Sequence, residues 1–257
     1  MMSFSAETYA LATALVFLIA LVFSMLGLGG GMLYVPAFKW LALPVKTIAV
    51  PLSLLLNGVT TASAFTRYAR EGMVDFRGGL PAALTALAAA PLGAHVMQYV
   101  PVPTLLAIFA VTTALAGLRS LTAGPPRESV DTPASRGGRL AIGIGVGGFE
   151  GFMGGLLGVG GGFIVAPILM ELGYSPKRAA ATTSFIVTFA SVSGFLAHAA
   201  EGRVEPLLTV LTLAAAIAGS QLGAWLMMRK AKPAWVKRLY GVLLLTVAAK
   251  LLHGLMT

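Results

Sequence analysis

The 257 residues are 57% hydrophobic and 11% charged, carry a formal net charge of +9 and include no cysteine. A soluble domain carries roughly twice that charge, so a water-exposed globule is excluded, and the missing thiols exclude disulfides, thiolate metal sites and thiol catalysis. The Lys and Arg excess would suit a nucleic-acid binder, but here it falls between apolar runs with no aromatic-basic surface, and it reads as loop charge that orients a membrane protein.

In chain order, the first half reads as five helical segments at about 8–26, 31–43, 48–66, 79–98 and 103–121. The lead Met1–Glu7 lacks a basic n-region, and no small-residue cleavage pattern closes the apolar run after it, so the first segment is expected to be a retained helix. A stretch containing Pro, Gly, Ser and Arg, from Thr122 to Arg139, reads as a polar linker. The second half supplies segments at about 140–157, 162–172, 179–199, 206–228 and 234–254. Residues 8–38, 47–66, 78–118, 179–200 and 206–228 hold no Asp, Glu, Lys or Arg, and each run suffices to cross hydrocarbon, which takes about 20 residues at ~1.5 Å rise. The second segment of each half is too short for that. The fold class is therefore all-α and polytopic, organised as a first repeat over 1–121, the linker over 122–139 and a second repeat over 140–257.

The repeat itself is explicit. Gly27-Leu28-Gly29-Gly30-Gly31-Met32-Leu33-Tyr34-Val35-Pro36 returns 131 residues later as Gly158-Val159-Gly160-Gly161-Gly162-Phe163-Ile164-Val165-Ala166-Pro167. Further on, Ser53 corresponds to Ser184, Gly72-Met73-Val74-Asp75 to Gly202-Arg203-Val204-Glu205, and Leu92-Gly93-Ala94 to Leu222-Gly223-Ala224. If the first two segments of each half return the chain to its starting side, the halves are inverted, and 14 of the 18 Lys and Arg lie on one face. If those two segments make a single crossing, the same residues divide evenly. The positive-inside rule selects the inverted arrangement, with both termini outside the cytoplasm. Parity does not separate two full crossings from a re-entrant hairpin.

Paired, glycine-interrupted short segments at matching positions are the best sequence pointer to a secondary transporter's substrate site. Three successive glycines break the helix and free backbone N–H groups, which hydrocarbon tolerates only against protein, a water-filled cavity or a ligand. Gly29, Gly30 and Gly31, with Gly160, Gly161 and Gly162, would let that backbone approach a ligand closely, and the helix restarting after each break turns the positive end of its dipole toward an anion. The competing reading is close helix packing, the usual work of small residues in membrane bundles.

At these residues the chain resembles the sulfite exporter TauE/SafE family of membrane permeases: the duplicated glycine signature with its proline, the hydroxyl-bearing start of the next helix (Ser53; Thr182-Thr183-Ser184) and the Gly-hydrophobic-acidic loops. The resemblance spans about the whole chain. It implies export, or in some members uptake, of sulfite, sulfonates or related small organic anions across the bacterial cytoplasmic membrane.

Ser53, Asn57, Thr183, Ser184 and Gln221 are the side chains expected to solvate the anion, with back-bonding to their own helices as the ordinary alternative for such residues. Glu150 interrupts the uncharged stretch from Leu140 to Met170. A carboxylate there is expensive and expected to be protonated or paired, which makes it either a proton carrier or a structural pair; its repeat counterpart is Ile19. His95 and His198 are expected at the interface, and three scattered histidines make no metal site. No cofactor is expected, nor is an enzyme, since no intramembrane acid–base constellation appears. With no nucleotide-binding P-loop, a secondary transporter driven by ion or substrate gradients is the leading reading and a passive anion channel the alternative. The partners implied are a small anion and the lipid bilayer, not nucleic acid, and a homo-oligomer stays open.

Overall fold

The computed structural model describes residues 5–122, 136–160, 162–199, 205–229 and 233–256. Ten α-helices follow one another: α1 (Ala6–Met25), α2 (Gly31–Trp40), α3 (Val50–Arg70), α4 (Phe76–Tyr99), α5 (Val102–Thr122), α6 (Arg136–Leu157), α7 (Gly162–Glu171), α8 (Pro176–Ala199), α9 (Pro206–Arg229) and α10 (Pro233–Met256). A π-helical turn, Val45–Ala49, leads into α3. Seven of these spans are long and apolar enough to cross a membrane, so the chain is a polytopic all-α membrane protein. Helices α2 and α7 have 10 residues each, or roughly 15 Å of rise, about half the hydrocarbon thickness.

Two departures from the sequence reading concern helix ends. The linker was expected to run to Arg139, yet residues 136–139 already form the first turn of α6; residues 123–135 lie outside the described residues. Gly137 and Gly138 look like breakers, but glycine inside a helix costs only about 1 kcal/mol, which tertiary contacts of the rest of α6 can offset. Helix α3 continues past Thr66 through Arg67 and Arg70, where cations complement the negative end of the helix dipole.

The acidic loops are helix caps. Asp75 Oδ1 accepts from Gly78 N at 2.9 Å at the start of α4, and Glu205 Oε2 accepts from Leu208 N at 2.6 Å at the start of α9. Each carboxylate also receives a tyrosine hydroxyl from a distant segment, Tyr174 on Asp75 at 2.7 Å and Tyr9 on Glu205 at 3.0 Å.

Packing depends on glycine stripes. On α6, Gly147, Gly151 and Gly155 recur every fourth residue, and a Cβ at each would strike the carbonyl oxygen of Ala82, Ala86 or Ala90 on α4. On α9, Gly219 and Gly223 meet the carbonyls of Phe17 and Leu21 on α1 in the same way. Small residues thus bring backbones together where lipid supplies no hydrophobic drive between helices. The principal pairs are α4 with α6, α1 with α9, α4 with α8, α5 with α10, α3 with α8 and α3 with α9, a set that maps onto itself when the two halves are exchanged. Helices α3 and α8 run antiparallel: Leu54 lies by Gly194, Gly58 by Ser191, Thr61 by Thr188 and Phe65 by Phe185.

The repeat extends to helix endings. Helix α2 closes with Leu43 N on Phe38 O and Ala42 N on Lys39 O; α7 closes with Tyr174 N on Leu169 O and Gly173 N on Met170 O. The left-handed residue is Ala42 (φ 61) in the first and Gly173 (φ 97) in the second.

Candidate functional site

The two glycine breaks meet inside the bundle. After α1 the chain turns through Gly27 (φ 71), Gly29 (φ 80) and Gly30 (φ 98), and after α6 through Gly158 (φ 74) and Gly160 (φ 66). Gly30 is the N-cap of α2 in a left-handed conformation that a side chain would strain. The breaks also touch: a Cβ on Gly31 would run into the carbonyl of Val159, and one on Gly162 would lie 3.2 Å from Leu28 Cα. Gly161 lies outside the described residues.

Asn57 stands between them. It lies near the middle of the 26-residue span Val45–Arg70 and is fully buried. Its Oδ1 accepts from Gly31 N at 2.8 Å, the first amide of α2, and its Nδ2 donates to Ser191 Oγ on α8 at 2.7 Å. A Cβ on Gly29 would fall against Asn57 Oδ1 and one on Gly160 against Asn57 Nδ2, so one amide side chain fills the gap between the breaks. Beside it, Thr61 and Thr188 hydroxyls lie 3.1 Å apart, and Tyr34 Oη is 3.0 Å from Thr60 Oγ1. The Thr188–Thr61 contact is the repeat image, within one residue, of the Asn57–Ser191 contact.

The other expected residues divide. Ser53, one turn before Asn57, is fully buried, and its Oγ has no hydrogen-bond partner among the described residues; the same holds for Thr183 Oγ1. Ser184 Oγ bonds back to Ala181 O at 2.7 Å, the ordinary intrahelical use. Gln221 is not among the residues at the breaks: its Nε2 donates to Ser63 O at 2.7 Å and Ser63 Oγ at 2.8 Å, while Arg67 Nη1 donates to its Oε1 at 3.2 Å.

Glu150 is fully buried, and neither carboxyl oxygen has a partner among the described residues. Four residues along the same helix face is Gly154, whose Cβ would lie 3.2 Å from Gly160 Cα. Its repeat counterpart Ile19 touches Gly30. Glu150 thus sits one helical turn along α6 from the residue that packs on the second break.

His198, in the last turn of α8, is buried within the protein, and its Nε2 lies 3.0 Å from Gly155 O. His95 is exposed and packs edge-on against Tyr99. A separate cavity between α4, α6, α7 and α8 is lined by Ala82, Gly143, Val146, Val165, Leu169 and Ile186 among others, none of them in the breaks.

Among the described residues this arrangement brings together a helix N-terminus, side-chain donors and a buried acid without a partner, groups able to receive an anion. A family model described as sulfite exporter TauE/SafE matches residues 12–251. The chain belongs to this family. TauE/SafE proteins are membrane transporters, so the chain is a multi-pass transporter and not an enzyme. It is 25% identical to probable membrane transporter protein YunE of Bacillus subtilis over 90% of this chain and 92% of that protein. It is 28% identical to probable membrane transporter protein y4hK of Sinorhizobium fredii over 96% and 99%. A shorter segment, 21% of this chain and 11% of the relative, is 46% identical to sulfite exporter TauE/SafE family protein 3 of Arabidopsis thaliana. No solved structure matches the TauE/SafE chain.

Proposed function

We propose that this TauE/SafE transporter exports a small oxyanion, sulfite, a sulfonate or a related organosulfur anion, across the bacterial cytoplasmic membrane by alternating access around Asn57. The observation that carries the reading is that two glycine breaks, one from each half, converge on a single buried amide which holds the first N–H of α2. In the closed arrangement Asn57 Oδ1 occupies the place where an oxyanion would take that N–H. Loading then requires the halves to part slightly, since side chains as small as a methyl would not fit between the breaks. The anion would take Gly31 N–H, with Asn57 Nδ2 and the hydroxyls of Thr61 and Thr188 beside it.

Inverted topology is the arrangement that best accounts for the packing. Equivalent helices that pair with each other, α3 with α8, are antiparallel, as a twofold axis in the membrane plane requires, and the division of Lys and Arg agrees. Helices α2 and α7 fit re-entrant hairpins, and both termini fall outside the cytoplasm. Glu150, with no partner among the described residues and one helical turn from the contact with the second break, is the proton carrier that couples anion movement to a gradient.

The tight fit at the breaks favours a carrier over a standing anion channel. Counterflow in proteoliposomes tests this: internal unlabelled sulfonate should drive transient uphill uptake of labelled sulfonate. Non-saturating flux without counterflow would mean a pore, and no anion flux at all would end the proposal.

A further inference from the structure

Arg67 lies on α3 one helical face with Thr60 and Ser63, at spacings of three and four residues, and roughly 10 Å along the axis from Thr60. Its side chain is half-buried, and Nη1 donates to Gln221 of α9, to Oε1 at 3.2 Å and to the backbone oxygen at 3.4 Å. The Gln221 amide is fixed in turn, because Nε2 is held by both oxygens of Ser63. Arg67 Nε is shut off from solvent and has no acceptor among the described residues. No carboxylate pairs with the guanidinium among those residues either.

An arginine that only marked the cytoplasmic side would extend its head into water. Here Nη1 is folded onto α9, and the Nε–H and Nη2–H edge of the guanidinium has no acceptor among the described residues; because Nε is covered, an anion reaches both donors only as α3 and α9 part. That edge is the one that grips two oxygens of an oxyanion in parallel. The Ser63 hydroxyl accepts from Gln221 and has a hydrogen left to give. A cation, two parallel donors and a hydroxyl donor, with no acidic group to neutralise them, make a receptor for a group such as sulfonate, sulfite or phosphate.

We propose that Arg67, Ser63 and Gln221 form a second oxyanion-binding site between α3 and α9, distinct from the glycine breaks. Arg67 and Ser63 contact the anion, and Gln221 is a positioning residue that sets the guanidinium plane. The oxyanion is either a solute on its way to the breaks or the phosphate of an anionic lipid, and the two share the same chemistry. The site's existence does not depend on the transport reading; only its place on a path toward Asn57 does.

The test uses the full-length protein in nanodiscs, with methanesulfonate titrated into phosphatidylcholine discs in one arm and phosphatidylglycerol added to the discs in the other. Binding is read as the shift of the unfolding midpoint and by calorimetry. R67Q is compared with wild type, and R67Q/N57D with N57D, so that Arg67-dependent binding is measured whether or not the breaks also bind. The expected result is a loss of at least about tenfold in affinity in both comparisons. Loss for methanesulfonate assigns the site to solute, and loss for phosphatidylglycerol alone assigns it to lipid phosphate. R67K keeps the charge without the two-pronged edge and should also bind several-fold more weakly, which separates recognition from misfolding of R67Q. Equal binding by wild type, R67Q and R67K in both arms overturns the proposal. Unimpaired counterflow by N57D would instead refute the role of the breaks and leave the Arg67 site standing.

Discussion

Replacing Asn57 by Asp or by Ala separates the packing role of this side chain from its role in anion binding. In Asn57→Asp the Gly31 N–H keeps an acceptor, and the Ser191 hydroxyl can turn from accepting to donating, so both contacts persist. The positive end of α2 favours the introduced carboxylate, while burial at mid-span opposes it by about 3 kcal/mol, so stability should fall by about 1–3 kcal/mol. Asn57→Ala removes both bonds and leaves a buried N–H without a partner; at about 1 kcal/mol for a lost bond and about 1–3 for an orphaned group, the cost is about 2–4 kcal/mol. Anion binding should reverse that order of severity. A carboxylate held ~4 Å from a monovalent anion costs about 4 kcal/mol at an effective dielectric of 20, close to a thousandfold in affinity. Denaturant titration in mixed micelles reports the stabilities, and sulfonate binding with counterflow reports the site. If Asn57→Asp folds like wild type and still binds and exchanges sulfonate within about tenfold, the anion does not meet the N-terminus of α2 and the reasoning fails.

Glu150→Leu removes a buried acid that has no partner among the described residues and should stabilise the protein by about 1–3 kcal/mol. The same change, like Glu150→Gln, should abolish the response of flux to an imposed pH gradient; a response equal to wild type in liposomes would eliminate the proton-carrier role. Gly151→Val drives a side chain into the Ala86 carbonyl at the α4–α6 crossing and should cost more than about 3 kcal/mol, an overpacking penalty visible as loss of a monodisperse elution peak. Ala42→Gly replaces a left-handed alanine by the residue its repeat image Gly173 already supplies, and should raise the unfolding free energy by up to about 1 kcal/mol with transport unchanged; a drop in stability would show that the alanine methyl makes a contact that outweighs the strain.

The helices were legible because hydrocarbon imposes a compositional rule on every spanning residue. The start of α7 at Gly162 and the end of α6 at Leu157 were readable from the glycine signature itself. The C-terminal end of α3 and the start of α6 lie beyond the uncharged runs, because Arg67, Arg70 and Arg136 continue their helices. Side-chain partners were not legible, since they are set across the halves. Nothing local to Asn57 indicates that Ser191, 134 residues away, receives its amide. Gln221 bonds to Ser63 and Arg67 of another helix, a pairing across the halves that its own segment does not announce. The one available hint was the helical spacing of Arg67 from Thr60 and Ser63. The bond from His198 to Gly155 was not legible either, because only packing across the halves shows which carbonyl a histidine can reach.

The position of a bound anion is the most direct measurement. Selenite carries the pyramidal charge distribution of sulfite and can be located by the anomalous scattering of selenium in crystals of the transporter. Selenium density with an oxygen within about 3 Å of Gly31 N, between the two glycine breaks, is the expected result. Density confined to other regions of the bundle, in protein that carries out sulfonate counterflow, would contradict it.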